Sequence, residues 1–401
     1  PNGTATSAAK TIPVRWTEKD IHWKTELPGS GHSSPVLWGN RLFITTGDEK
    51  DGGLRVLGLD AKTGAILWRR DYPISPFPKN KLNSFASATP AVDAERVYVP
   101  WSTPERLTLA AFDHDGKTVW ERDLGPFISQ HSSGASPILY EDRVVLPNYQ
   151  DGVSFIVAVD AKTGQTRWQT PRKQMNESAA YGTPFVFQPA GGKPVLIFSS
   201  KTHGLSAINP DDGAVVWEFD QAYTYRAVSS PFTAAGLIFG TCGGGGVGRG
   251  LVAIRPGDPK SGRQPEVAYR IPKPAPYVPT SVVVGDYAYL LHDNGYMTCL
   301  HAPTGESRWY ENLAAPGPNP PGSQAKAGLH FFSSPVCVDG KLYCASREGE
   351  MVVVEASPEK LKVLGRTPLG EGTQATPAVA GGRMYVRTEK HVFCVGGAKQ
   401  P

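Results

Sequence analysis

Side chains able to do chemistry cluster, in this 401-residue chain, in short polar stretches between apolar, alternating runs. One group holds His32, Phe85, His131, Tyr181, Tyr225, Arg226, Tyr277, His330, Phe331 and Gln374, each a few residues ahead of a Ser or Thr that usually precedes proline. A second group holds Trp101, Asn148, Tyr149, Asp151, Lys201, His203, Arg249, His292, Asp293, Arg347 and His391, with Asp48, Glu49 and Asp51. Aromatic rings stack on planar groups, and Arg, Lys or His hold anionic or polar ones. The mixture points to a ligand pocket, with His32, His131, Tyr181, Lys201, Arg226, Tyr277, His330 and Arg347 as its expected lining.

Sharper motifs do not survive inspection. Gly243-x-Gly245-x-x-Gly248 matches a dinucleotide fingerprint by letter, but the apolar run Leu251-Val-Ala-Ile254 follows it. Without a helix N-terminus there is no phosphate cradle, so the stretch reads as a flexible loop. Asp48-Glu-Lys-Asp51 lacks the oxygen spacing of a calcium loop and reads as solvated. The histidines show no paired spacing, and the sequence sets no metal site. The five cysteines (Cys242, Cys299, Cys337, Cys344, Cys394) include no CxxC, no adjacent pair and no CxxCH haem signature. An odd number within apolar strands reads as buried free thiols.

The elements that position these side chains are set by a repeat. Trp23, Trp68, Trp120, Trp168, Trp217 and Trp309 recur at intervals of 45, 52, 48, 49 and 92 residues, the last being two periods. Five of them close a similar phrase, as in Asp60-Ala-Lys-Thr-Gly64…Trp68 and Asp160-Ala-Lys-Thr-Gly164…Trp168. A second phrase of Ser or Thr, usually Pro, and a hairpin occurs eight times, at Ser34, Thr89, Ser136, Thr183, Ser230, Thr280, Ser334 and Thr376. Such periods mark stacked copies of one supersecondary unit. Hairpin, third strand, turn and Trp strand make four strands per copy, which is a propeller blade.

The eighth copy has three strands, and the chain opens on an orphan strand, Ile21–Leu27. Pairing the two completes blade eight and hides the seam edge. The expected fold is therefore all-β, a single eight-bladed propeller of four-stranded antiparallel blades over residues 12–397. Residues 1–11 are expected to be a linker left after removal of a signal or tag, and 398–401 a tail. Two blades depart from the pattern. Blade five has Ile254-Arg-Pro-Gly-Asp-Pro-Lys-Ser-Gly262…Tyr269, and blade seven has Glu355-Ala-Ser-Pro-Glu-Lys360 with no Trp.

Strand direction alternates, so the loop leading into each blade and the loop between its second and third strands share one face. The Asp-x-x-Thr-Gly turns occupy the other. Composition narrows what that first face can meet. A net charge of +4 with spread Lys and Arg argues against nucleic acid. No apolar run reaches 18 residues, which argues against a membrane-spanning helix.

The Ala, Asp-x-x-Thr-Gly and Trp phrase resembles the repeat of the pyrroloquinoline quinone (PQQ)-like propellers. That family includes quinoprotein alcohol dehydrogenases and the lipoprotein that helps assemble outer-membrane β-barrels. The resemblance implies that Trp docks between blades, that Gly permits the turn, and that the chain is periplasmic or otherwise extracytoplasmic. The function expected first is a non-catalytic, monomeric binding or assembly module taking a protein partner or a small polar or anionic ligand at the axial face. The alternative is a quinoprotein oxidoreductase. A flat, tricarboxylated PQQ with calcium would need groups such as Arg226, Lys201, Arg249, Tyr181, Trp101 and Asp293. No carboxylate stands out as a general base, which weighs toward the first.

Overall fold

The computed structural model describes residues 5–397 apart from 49, 51–52, 175–178, 246, 259 and 315–327. They form the expected propeller of eight four-stranded antiparallel blades. Blade 3 is typical, with strands Ile138–Tyr140, Arg143–Asn148, Ser154–Asp160 and Thr166–Arg172 from axis to rim. Blade 8 takes Ala378–Ala380, Arg383–Arg387 and His391–Val395 from the C-terminal end of the chain and Ile21–Glu26 from its beginning.

Each blade packs face to face with two others, so its middle strands are apolar on both sides. Phe155, Ile156, Val157, Ala158 and Val159 are all buried in succession. The fourth strand lies at the rim, and in Thr166–Arg172 only Trp168 is buried. That Trp faces a small residue across the sheet in blade after blade: Gly58 opposite Trp68, Ala158 opposite Trp168, Ala207 opposite Trp217. A bulge at the same level tilts the ring toward the neighbouring blade.

The indole then docks on the next blade. Trp23, Trp68, Trp120 and Trp168 donate Nε1–H to the carbonyls of Ala61, His114, Ala161 and Pro210 at 2.8–3.1 Å. The turn glycine beneath is obligatory. Gly164 has φ +71°, and a Cβ there would come within 2.7 Å of the Trp120 ring. Asp160 holds this turn by accepting the Thr163 N–H and hydroxyl. Burial alone would raise its pKa, but Arg167 and Thr163 bring it down to about 2.

Around the axis seven of the eight Ser or Thr residues of the repeats pass a hydrogen bond to the next blade. Ser34, Thr89, Thr183, Ser230, Thr280, Ser334 and Thr376 each donate a backbone N–H to the hydroxyl of the next position, at 2.9–3.0 Å. The Thr376 to Ser34 bond closes blade 8 onto blade 1.

Blades 5 and 7 solve their missing Trp differently. In blade 5 Tyr269 takes the position, and its hydroxyl donates to Ala302 O at 2.5 Å. In blade 7 the equivalent register holds Gly365, opposite Val353. A Cβ there would strike Val14 O at 2.1 Å, because residues 12–16 lie across it. Ile12 and Trp16 are buried with Tyr343, Met384 and Phe393, and Tyr343 donates its hydroxyl to Ile12 O. Thr6–Ser7 adds a parallel strand beside Cys337–Val338, which sequence patterning did not announce. All five cysteines are free and buried.

Removing a docking indole should therefore be far worse than removing a surface one. Trp168→Ala is expected to destabilise the fold by about 3–5 kcal/mol. Trp38→Ala, at a side chain 47% exposed, should shift it by less than about 0.5 kcal/mol. Urea unfolding of the two variants compares them directly.

Candidate functional site at the axial mouth

The loops leading into the blades and two loops between second and third strands enclose a cavity of about 650 Å³ at the axis. His32, His131, Tyr181, Lys201, Arg226 and Tyr277 line it. Of the other expected residues, Arg347 stacks on Phe332, itself part of the wall, at 4.5 Å. His330 is 53% exposed at its side chain and pairs with Glu348 at 3.0 Å, outside the cavity wall.

Within the mouth the groups are coupled. Arg226 Nη1 lies 3.2 Å from His131 Nε2, and the His131 ring meets Tyr181 edge-on at 5.8 Å. Burial and then the Arg226 charge lower the His131 pKa. Burial and the Arg387 guanidinium push His32 down to about 3, and its Nε2 lies 3.1 Å from the Gln374 amide nitrogen. Both imidazoles are thus biased to the neutral form, and the cations facing the cavity are Arg226 and Lys201.

Tyr277 is positioned from two sides. Asp293 accepts the backbone N–H groups of Tyr277 and Val278 at 2.8 and 3.0 Å. Gly243 supplies the floor, since a Cβ there would come within 2.6 Å of the Tyr277 ring. This corrects the reading of the glycine stretch as a flexible loop. Gly243 and Gly248 pair across a hairpin between Leu237–Gly244 and Val247–Arg255. Gly248 lets the strand pass Ala275 O, which a Cβ would meet at 1.6 Å.

Several loop residues that could have joined the mouth are engaged elsewhere. His203 donates its Nδ1–H to Glu218 at 2.9 Å, and its Nε2 accepts the Lys173 N–H. His292 bonds Thr298, and His391 bonds Glu371. Trp101 is core, packed on Tyr72. Asp48 pairs with Arg55, while Glu49 and Asp51 lie outside the described residues. Sequence reasoning also missed Asn80, Asn83, Ser87 and Gln130 in the wall. The first three come from the long connection between blades 1 and 2, whose only trace was the 52-residue Trp interval.

The residues fit PQQ in part. Tyr181 and Tyr277 could flank a planar body, and Arg226 and Lys201 could meet carboxylates. A divalent cation beside it would need oxygen anions, and among the described residues no carboxylate lines the cavity. Asp151 is felt electrostatically by His131 and Tyr181, and Asp293 already accepts backbone donors. Among the described residues no three His, Cys, Asp or Glu side chains are grouped to hold a metal.

Asp293 gives the mouth a pH signature. Burial raises its pKa from 3.8 to about 6 against the opposing backbone donors. A carboxyl that binds its proton more tightly when folded favours the fold most below pH 3.8, and that contribution is lost as pH rises through 6. Relative to Asp293→Asn, the wild type should lose about 3 kcal/mol between pH 3.5 and 7. Urea unfolding of both proteins across that range would read it.

Comparison with known proteins places the fold. A PQQ-repeat family model, described as outer membrane protein assembly factor BamB, matches residues 5–78, 75–192, 157–325 and 293–396. Polyvinylalcohol dehydrogenase of Pseudomonas sp is 25% identical over 226 residues, 51% of this chain and 32% of that protein. Quinoprotein ethanol dehydrogenase of Pseudomonas putida is 25% identical over 150 residues, 35% of this chain and 23% of that protein. The chain thus spans a third or less of the length of these two relatives. BamB from Moraxella catarrhalis superposes with TM-score 0.62 at 15% identity, covering 93% of this chain and 96% of that one. A europium-containing methanol dehydrogenase gives 0.67 at 13% identity, covering 95% and 87%. At those identities the superpositions show the fold alone. Because the repeat model matches from residue 5 to residue 396, the chain belongs to the PQQ-repeat propeller family described as outer membrane protein assembly factor BamB.

Proposed function

We propose that this chain is a non-catalytic, extracytoplasmic binding or assembly module whose axial mouth takes a polar or anionic group of its partner. The observation that carries this reading is the wall of the mouth: tyrosines, neutral imidazoles, Arg226 and Lys201, with no carboxylate among the described residues that line it. Such a wall recognises an anion through its guanidinium, ammonium and phenol groups, while its two imidazoles are engaged by Arg226 and Gln374. The family description, an outer membrane assembly factor, supports a scaffold role and the compartment. No helix among the described residues is long and apolar enough to cross a membrane.

A quinoprotein dehydrogenase is the second reading, favoured by the similarity to polyvinylalcohol dehydrogenase and quinoprotein ethanol dehydrogenase. Titration of the purified chain with PQQ, with and without calcium, separates the two. The expected outcome is no calcium-dependent change in cofactor absorbance or thermal midpoint, and no dye-linked oxidation of alcohols or sugars. Saturable, calcium-dependent binding with such oxidation would replace the first reading by the second.

A further inference from the structure

A second cavity, of about 1070 Å³, opens between blades 4 and 5 on the face opposite the mouth. It lies where a docking contact of the kind made around the ring is not made. The indoles of Trp23, Trp68, Trp120, Trp168 and Trp309 and the Tyr269 hydroxyl each donate to a carbonyl of the following blade. Trp217 is 6% exposed, yet its Nε1–H finds no acceptor among the described residues.

The reason lies in the irregular turn of blade 5. By position, the Trp217 acceptor should be Pro256 O, which corresponds to Ala61, Ala161 and Pro210 in the blades where the contact is made. That carbonyl instead accepts Arg263 Nη2 at 3.3 Å. Asp258 and Arg263 exchange backbone hydrogen bonds and fold the extra residues into their own small loop. Lys260 then reaches across the cleft to Gly191 O in blade 4, at 2.7 Å.

What remains is a cavity with an apolar wall and a cationic rim. Phe187, Leu237 and the Trp217 ring are buried at the wall, and Arg255, Lys260 and Arg263 stand at the opening. Asp258 is the one carboxylate among the described lining residues, its oxygens already accept the Lys260 N–H and the Ser261 hydroxyl, and Arg255 also pairs with Glu266 at 3.4 Å. The Trp217 indole N–H is reachable from the cavity, where an anionic acceptor would bond it more strongly than a neutral one.

We propose that this cleft is a binding site for a small aromatic anion, its flat body against Phe187 and Leu237 and its acidic group bonded to Trp217 Nε1–H beneath the basic rim. The volume suits a molecule of two or three fused or linked rings. The inference is independent of what the axial mouth binds.

The probe is 1-anilinonaphthalene-8-sulfonate, titrated into the full chain and followed by its fluorescence. A saturable component at the cleft is expected, distinct from binding at the mouth, and the variants report on that component. Trp217→Phe keeps the ring and removes the donor, so it should weaken binding about tenfold. Lys193→Glu, at an exposed cavity-lining position where folding is not at stake, should weaken it by a similar factor of about ten. Arg226→Ala, at the mouth, should leave it unchanged. Absence of a saturable site would overturn the proposal, and so would binding that Arg226→Ala abolishes and Lys193→Glu leaves intact.

Discussion

Everything in this molecule depends on one contact repeated around a circle: an indole from the rim strand of one blade lying on the turn of the next. A blade alone is a sheet with two apolar faces and cannot stand in water. The indole covers part of the face its neighbour leaves open, and its N–H satisfies a turn carbonyl that burial would otherwise strand. The requirement reaches back into sequence. The residue opposite the ring is small, and most of the turns carry glycine and a capping Asp or Asn.

The hydroxyl ring at the axis does for the inner ends what the indoles do for the rim. Backbone donors of the first strands are passed from blade to blade, so the loops just before them are fixed at one radius. That is why His32, His131, Tyr181, Arg226 and Tyr277, drawn from five blades, meet in one cavity. The same crowding biases the imidazoles to their neutral form, so the charge that faces the cavity is that of Arg226 and Lys201.

Much of this was legible in the sequence because it is local. The Trp phrase, its capping Asp and its glycine lie within nine residues, and the parity of a meander assigns each loop to a face. Six of the eight residues expected at the mouth line it for that reason. What could not be read depends on partners far apart in the chain. His330 was drawn aside by Glu348, and His203 by Glu218. The long stretch before Thr89 carries no periodic signal, yet it builds one wall of the mouth. The reason for Gly365 lies more than three hundred residues away, in Val14.

The contact over Gly365 has a kinetic meaning. Trp16 and Thr367 are separated by 351 residues, and Ile12 and Tyr343 by 331. Bringing such distant segments together carries a large loop-closure entropy, so blades 1 to 6 can assemble by local pairing while the interface of blades 7 and 8 waits for both ends. During synthesis the opening segment, with its exposed Ile12 and Trp16, must remain unpaired until almost the last blade has emerged. The ring therefore closes like a clasp, and its first residues are the last to find their place.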